Sequence, residues 1–368
     1  MAISLLTLSI IGGGGCATPP PGAPVPLGQS AVDQFLKSGR DPRYLGITVY
    51  GSGAQTRFEF ANRVHQDRAA TRPFVSPAGD SLPIIEAKTG VESPFHLLLD
   101  SSARQSWLLM AACRAMDYRV FAPPTGEYPD HVCSEVPGYA GAGNKVILDM
   151  LHLESPIFYV PMASGHAGPL ARMEETPEGP LDDKAVKRRE KTRTGIHAVM
   201  GAAMMRAFAY VRLDFPHREI RFSTHATYQP TSRNGTLAVL PMKDWRGRPA
   251  VTLQLNGTPM TAVIDTGGDF GLSLPGPPPA LTGNIQLGKQ LSIPDAELRS
   301  HELLGLPDTF PARLGLRLMK PYIWTLDFKN NRVWIEDPDA APSLTDEGVE
   351  SDAGAGSTVP VRYKGVTP

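Results

Sequence analysis

Cysteine is scarce: three residues in a chain of 368 cannot staple a disulfide scaffold. Neither Cys-x-x-Cys nor His-Glu-x-x-His spacing occurs, so no metal and no other cofactor is expected. A Gly-x-Ser-x-Gly elbow is also missing, which argues against a serine hydrolase of the α/β type. Positive charge is not in excess, with 36 Lys and Arg against 37 Asp and Glu. A net charge of -1 offers no basic field to gather nucleic acid, and none is expected as a partner. Long apolar runs are lacking too: the one at residues 1–11 is too short to span a bilayer. What the chain has is 41% hydrophobic residues, enough to bury one large core or two moderate ones, and its 368 residues favour about two domains. It also has 36 glycines and 36 prolines, which suit short strands joined by many turns and an all-β fold.

The apolar start, the glycines at 12–15 and Cys16 read as an export signal. Small residues before Cys16 and an Ala, Thr and Pro-rich stretch after it resemble a bacterial lipoprotein cleavage site. That resemblance implies lipidation of Cys16, a membrane partner through the lipid, and a place in the periplasm or cell envelope. An ordinary cleaved signal with an incidental cysteine is the alternative, and either way export is expected. Cys113 and Cys133 then remain, as a disulfide in an oxidising compartment or as two buried thiols. Residues 17–43 read as a flexible tether and 338–368 as a mobile tail. A first folded unit is drawn at 44–228 and a second at 235–337. The charged stretch 174–193 reads as a solvated surface insertion of the first unit.

An internal duplication decides the architecture. Residues 199–222 and 313–335 each run through a Gly, a short amphipathic helix, an alternating strand, Leu-Asp-Phe, a polar turn and a last strand. Upstream, the apolar strand ending at Asp100-Ser101-Ser102-Ala103 parallels the one ending at Asp265-Thr266-Gly267-Gly268. A third, weaker match sets residues 148–153 against 283–288. Asp214 and Asp327 recur as well, but at strand-to-turn positions, and are read as structural. Asn256-Gly257 reads as a hairpin turn, and residues 283–290 as strand and turn rather than a phosphate-binding loop, because Gln290 stands where Ser or Thr would be needed.

The strand before Asp265, the Asp265-Thr266-Gly267 tripeptide, Gly268, and the Gly-helix-Leu-Asp-Phe block after it resemble the pepsin and retropepsin superfamily of aspartic peptidases. The resemblance implies two related β-barrel-like lobes, each with a short helix before its last strands, and an active site at their interface. It implies Asp100 and Asp265 as the catalytic pair. Ser101, Thr266 and Gly267 would support the loops, each hydroxyl held by the facing lobe and the glycine allowing close approach. Two carboxylates a few ångströms apart share one proton and titrate as a pair, so one serves as base toward a water and the other as acid toward the scissile carbonyl. A peptide or protein substrate, an exported endopeptidase activity and a monomer follow as expectations. Ser102 departs from the family pattern by placing a side chain where glycine is usual. Two alternatives therefore stay open: an inactive peptide-binding lipoprotein, and a homodimeric enzyme using the second lobe alone. The first lobe's flap would present a Tyr in the region of Tyr128 and Tyr139, with neither taken as a site residue.

Overall fold

The computed structural model describes residues 25–26, 47–50, 57–60, 63–64, 68–76, 82–89, 94–109, 112–113, 119–121, 138–142, 145–154, 156–161, 163–164, 195–224, 228–230, 235–302 and 309–340. The fold they build is all-β with few and short helices. In the first half the strands that matter are β1 Ala69–Pro73, β2 Ile84–Thr89, β3 Pro94–Asp100, β4 Trp107–Leu108, β5 Val146–Leu148, β6 Leu151–Glu154, β7 Ile157–Pro161 and β8 Ala198–Gly201. Helix α1 Ala202–Met205 and strands β9 Tyr210–Asp214 and β10 Glu219–Ser223 follow. The second half has β11 Thr236–Pro241, β12 Lys243–Trp245, β13 Arg248–Leu255, β14 Thr258–Ile264, β15 Leu272–Leu274, β16 Thr282–Leu287, β17 Leu291–Ser300 and β18 Ala312–Leu314. It closes with helix α2 Leu316–Met319 and strands β19 Ile323–Asp327 and β20 Arg332–Glu336.

The two halves repeat one strand order. In a ten-stranded sheet β3, β8, β4 and β7 lie side by side, and in a seven-stranded sheet β14, β18, β15 and β17 do the same. The directions also agree: β8 runs parallel to β3 and antiparallel to β4, as β18 runs parallel to β14 and antiparallel to β15. A six-stranded sheet joins the halves in the order β11-β20-β19-β9-β10-β1. Its centre is the antiparallel pairing of β9 with β19, from Tyr210 opposite Asp327 to Asp214 opposite Ile323. The strands entering the site are apolar because both their faces are covered: Leu97, Leu98 and Leu99, and Ala262, Val263 and Ile264, are all buried.

Turns carry residue-specific chemistry. The β13–β14 hairpin closes on Asn256 and Gly257, both at positive φ (49° and 82°), the geometry of a two-residue turn matching strand twist. Asp214 Oδ1 accepts the His217 N–H at 3.1 Å and Asp327 Oδ1 accepts the Asn330 N–H at 3.0 Å, so these recurring aspartates cap equivalent turns. Residues 283–288 do not form a phosphate loop; they lie in β16 and the turn after it, where Gly288 sits at φ 65°. The third sequence match is offset. The hairpin β5–β6 turns at Asp149 and Met150, so by topology Leu148 answers to Leu287 rather than to the start of the 283–288 block. Long strand β17 of the second half is split into β6 and β7 in the first, which hides the correspondence from a residue-by-residue comparison.

Candidate active site

Each half delivers an aspartate at the end of a buried strand. In the first, β8 pairs with β3 so that Gly201 stands opposite Asp100. In the second, β18 pairs with β14, Ile264 stands opposite Leu314, and the Asp265 N–H bonds to the Leu314 carbonyl at 2.9 Å. The glycine at the end of each of these inner strands, Gly201 or Gly315, is the N-cap of the short helix, with nearly identical angles (φ -87°, ψ 174° and φ -95°, ψ 176°). A Cβ on Gly201 would lie 2.3 Å from the Gln105 carbonyl oxygen, and one on Gly315 would lie 2.4 Å from that of Phe270. Only glycine lets the helix start that close to the aspartate loop.

The two loops hold each other through crossed hydrogen bonds. Ser101 N–H donates to Thr266 Oγ1 at 2.9 Å, and Thr266 Oγ1 donates to the Leu99 carbonyl at 2.9 Å. In return Ser101 Oγ donates to the Ile264 carbonyl at 2.6 Å, and Thr266 N–H reaches Ser101 Oγ at 3.3 Å. Both hydroxyl residues are fully buried. Gly267 then lies directly on Asp100: an added Cβ would come 2.6 Å from Asp100 Cγ and 2.8 Å from its Oδ2. Thus Asp100, Asp265, Ser101, Thr266 and Gly267 converge in one buried cluster.

The carboxylates are treated differently. Asp100 Oδ1 accepts from Ser102 N–H at 2.9 Å, Ser102 Oγ at 2.7 Å and Ala103 N–H at 3.1 Å. Its Oδ2 is buried without a hydrogen-bond partner. Asp265 Oδ1 accepts from Gly267 N–H at 3.0 Å, and its Oδ2 is ion-paired with Arg313 Nη2 at 2.5 Å. The same Nη2 donates to Ser102 Oγ at 2.6 Å. Burial pushes the Asp100 carboxyl up from 3.8 to about 6; the Asp265 charge adds to this, while the Ser102 and Arg313 contacts pull the other way.

Ser102 therefore does not simply fill space. Its hydroxyl is turned onto Asp100 and receives Arg313, while its carbonyl accepts from Arg248 Nε at 2.7 Å. Arg248 is fully buried, and its guanidinium lies 5.4 Å from the ring centre of Trp245 and 5.2 Å from that of Phe310. Neither arginine is anticipated from the aspartate motifs. The duplication does carry a signal for one of them, since Arg313 falls opposite Val199, a charge set against an aliphatic residue in a buried strand.

Among the other expectations, Cys113 is a buried free thiol, and Cys133 lies outside the described residues. Cys16, the insertion at 174–193 and Tyr128 also lie outside them; Tyr139 falls in the strand Gly138–Ala142, paired with Val160.

No protein-family model matches the chain, and neither does any curated protein. One similar solved structure is the crystal structure of basic 7S globulin from soybean, with a TM-score of 0.40 and 10% identity, covering 76% of this chain and 97% of that one.

Proposed function

We propose that this protein is an aspartic endopeptidase of the pepsin and retropepsin type, in which Asp100 and Asp265 activate a water against a peptide bond. The observation that carries the reading is the set of crossed hydrogen bonds joining Ser101 and Thr266, which ties two Asp-hydroxyl loops from duplicated strands into one buried cluster. Such a cluster supplies what hydrolysis without a covalent intermediate requires: one carboxyl that can hold a proton and one that can take one. Ser101, Thr266 and Gly267 fix the loops, and an extended peptide would pair with strand edges beside them. The loops of a single chain already grip each other, so a monomer suffices and a partner copy need not complete the site. The N-terminal pattern extends the proposal to export and to a lipid anchor on Cys16 at the bacterial cell envelope.

A second reading is favoured by a specific contact. Ser102 Oγ on Asp100 Oδ1, together with Arg313 on Asp265 Oδ2, engages both carboxylates within the protein, as expected of a peptide-binding protein without turnover. Incubating purified protein with fluorescently labelled, denatured casein between pH 4 and 8 separates the two. The peptidase reading expects cleavage that falls by about 100-fold or more in both Asp100→Asn and Asp265→Asn, in keeping with the loss of a general acid or base. Binding of casein with no cleavage at any pH rejects it in favour of the binding protein.

A further inference from the structure

Two of the differences between the repeated segments of the halves touch each other. The second half has Gly267 where the first has Ser102, and the first has Val199 where the second has Arg313. Val199 is buried among apolar neighbours, and Arg313 occupies the same kind of strand position with only 6% of its surface exposed. An arginine cannot shed its charge in a protein, so burying one requires anionic and hydrogen-bonding partners. Arg313 finds both, in Asp265 Oδ2 of its own half and in Ser102 Oγ across the site. A hydroxyl has one proton, and since Arg313 donates to Ser102 Oγ, that proton is free to go to Asp100 Oδ1. The result is a continuous link from Asp265 through Arg313 and Ser102 to Asp100.

Charge counting gives the link its meaning. A bare carboxylate pair with one shared proton carries a charge of about -1. Two ionised carboxylates plus one guanidinium carry the same charge without any shared proton. Among the described residues Arg248, from β13, also reaches the cluster, but on the Ser102 carbonyl rather than on either carboxylate, and so stands outside this count. Arg104 lies farther along the Asp100 loop, where its Cγ faces Gly247.

We propose that Arg313 is a positioning residue that holds Asp265 as the anion, leaving the free Oδ2 of Asp100 as the proton carrier, and that it stands in for the shared proton once Asp100 has ionised. The catalytic consequence rests on the peptidase reading, and it assigns roles. Asp265 is the base and works through Oδ1, because Oδ2 is engaged by Arg313. The water gives one proton to Asp265 as its oxygen bonds to the scissile carbon, and Asp100 gives its proton to the carbonyl oxygen. In the second step Asp265 returns its proton to the departing amine nitrogen, the C–N bond breaks, and one hydroxyl of the intermediate restores the proton on Asp100. Above about pH 6 Asp100 has lost its proton and the cluster is a silent ion-paired network.

The test follows the Asp100 carboxyl carbon by NMR in protein carrying 13C-aspartate, assigned by its loss in Asp100→Asn, with labelled casein cleavage measured on the same samples. Arg313→Val is expected to raise the Asp100 midpoint by about one pH unit or more, the lower end of the effect of removing a close opposite charge. Arg313→Gln, which is shorter but keeps a polar N–H donor and removes the charge, should do the same, and covers the case where the valine variant does not fold. Arg313→Lys should restore part of the wild-type midpoint, and Ser102→Gly should raise it. A midpoint unmoved by loss of the Arg313 charge overturns the proposal whether or not casein is cleaved. Midpoints that move, with no cleavage by wild type at any pH, leave the arginine clamp standing and reject the peptidase reading instead.

Discussion

The crossed hydrogen bonds between the two loops make a quantitative claim that an isosteric substitution can test. Thr266→Val keeps the shape of the side chain and removes its hydroxyl. Two groups lose by this: the Ser101 N–H loses its 2.9 Å acceptor, and the Leu99 carbonyl loses a 2.9 Å donor. Thr266 and Ser101 are both fully buried, so water cannot replace the partner without opening the loops. An unsatisfied buried N–H costs about 1–3 kcal/mol and a lost net hydrogen bond about 1 kcal/mol, giving a total of roughly 2–4 kcal/mol. At an m-value of about 2 kcal/mol/M, the urea midpoint should fall by about 1–2 M. Thr266→Ser is the control: it keeps the hydroxyl, loses one methyl, and should cost about 1 kcal/mol. Urea unfolding followed by tryptophan fluorescence measures both. If the valine and serine variants unfold within about 0.5 kcal/mol of each other, the crossed bonds do not hold the loops together and the reasoning fails.

Asp100 has a raised folded-state pKa, so between pH 3.8 and about 6 the native state holds a proton that the unfolded chain has lost. Stability at this site is therefore full below that window and falls by about 3 kcal/mol as pH rises through it. Urea titrations at pH 4 and 7 should show this fall in wild type and a smaller one in Asp100→Asn. Gly267→Ala should lower stability and, on the proposed peptidase reading, casein turnover, since its Cβ would sit 2.6 Å from Asp100 Cγ, an overpacking of about 1–3 kcal/mol. Gly257→Ala meets nothing within 4 Å and should leave any casein turnover alone, losing stability only through its φ of 82°. The Cys113 thiol is pushed up to about 12 by burial, so alkylation at pH 8 should spare it in the native protein and reach it in urea, as read by peptide mass mapping.

Much of the fold was legible because duplication writes the same pattern twice. The Gly-helix-strand-Leu-Asp-Phe blocks are local in sequence, and each maps onto one run of the structure, from Gly201 through β10 and from Gly315 through β20. The hairpin at Asn256-Gly257 was legible for a similar reason, since the demand for positive φ falls on two adjacent residues. The match at 148–153 failed because strand β17 is broken into two in the first half, and hydrophobic pattern alone does not fix register across a break.

The convergence of Asp100 and Asp265 could be inferred from motif equivalence, but their unequal surroundings could not. Those depend on contacts between residues more than a hundred positions apart, such as Arg313 on Ser102 and Arg248 on the Ser102 carbonyl. Taken alone, Ser102 is a side chain where close approach favours glycine, which argues for a damaged site. Taken with Arg313, it is half of a donor-acceptor pair, because the arginine would otherwise have one fewer partner for a buried charge. The two departures therefore depend on each other energetically. Placing glycine at 102 alone should not improve the site: it removes one acceptor from Arg313 and one donor from Asp100, and the combined Ser102→Gly, Arg313→Val variant should be more stable than the sum of its single costs allows. A double-mutant cycle in urea that comes out additive would mean that the serine and the arginine are independent accidents of sequence.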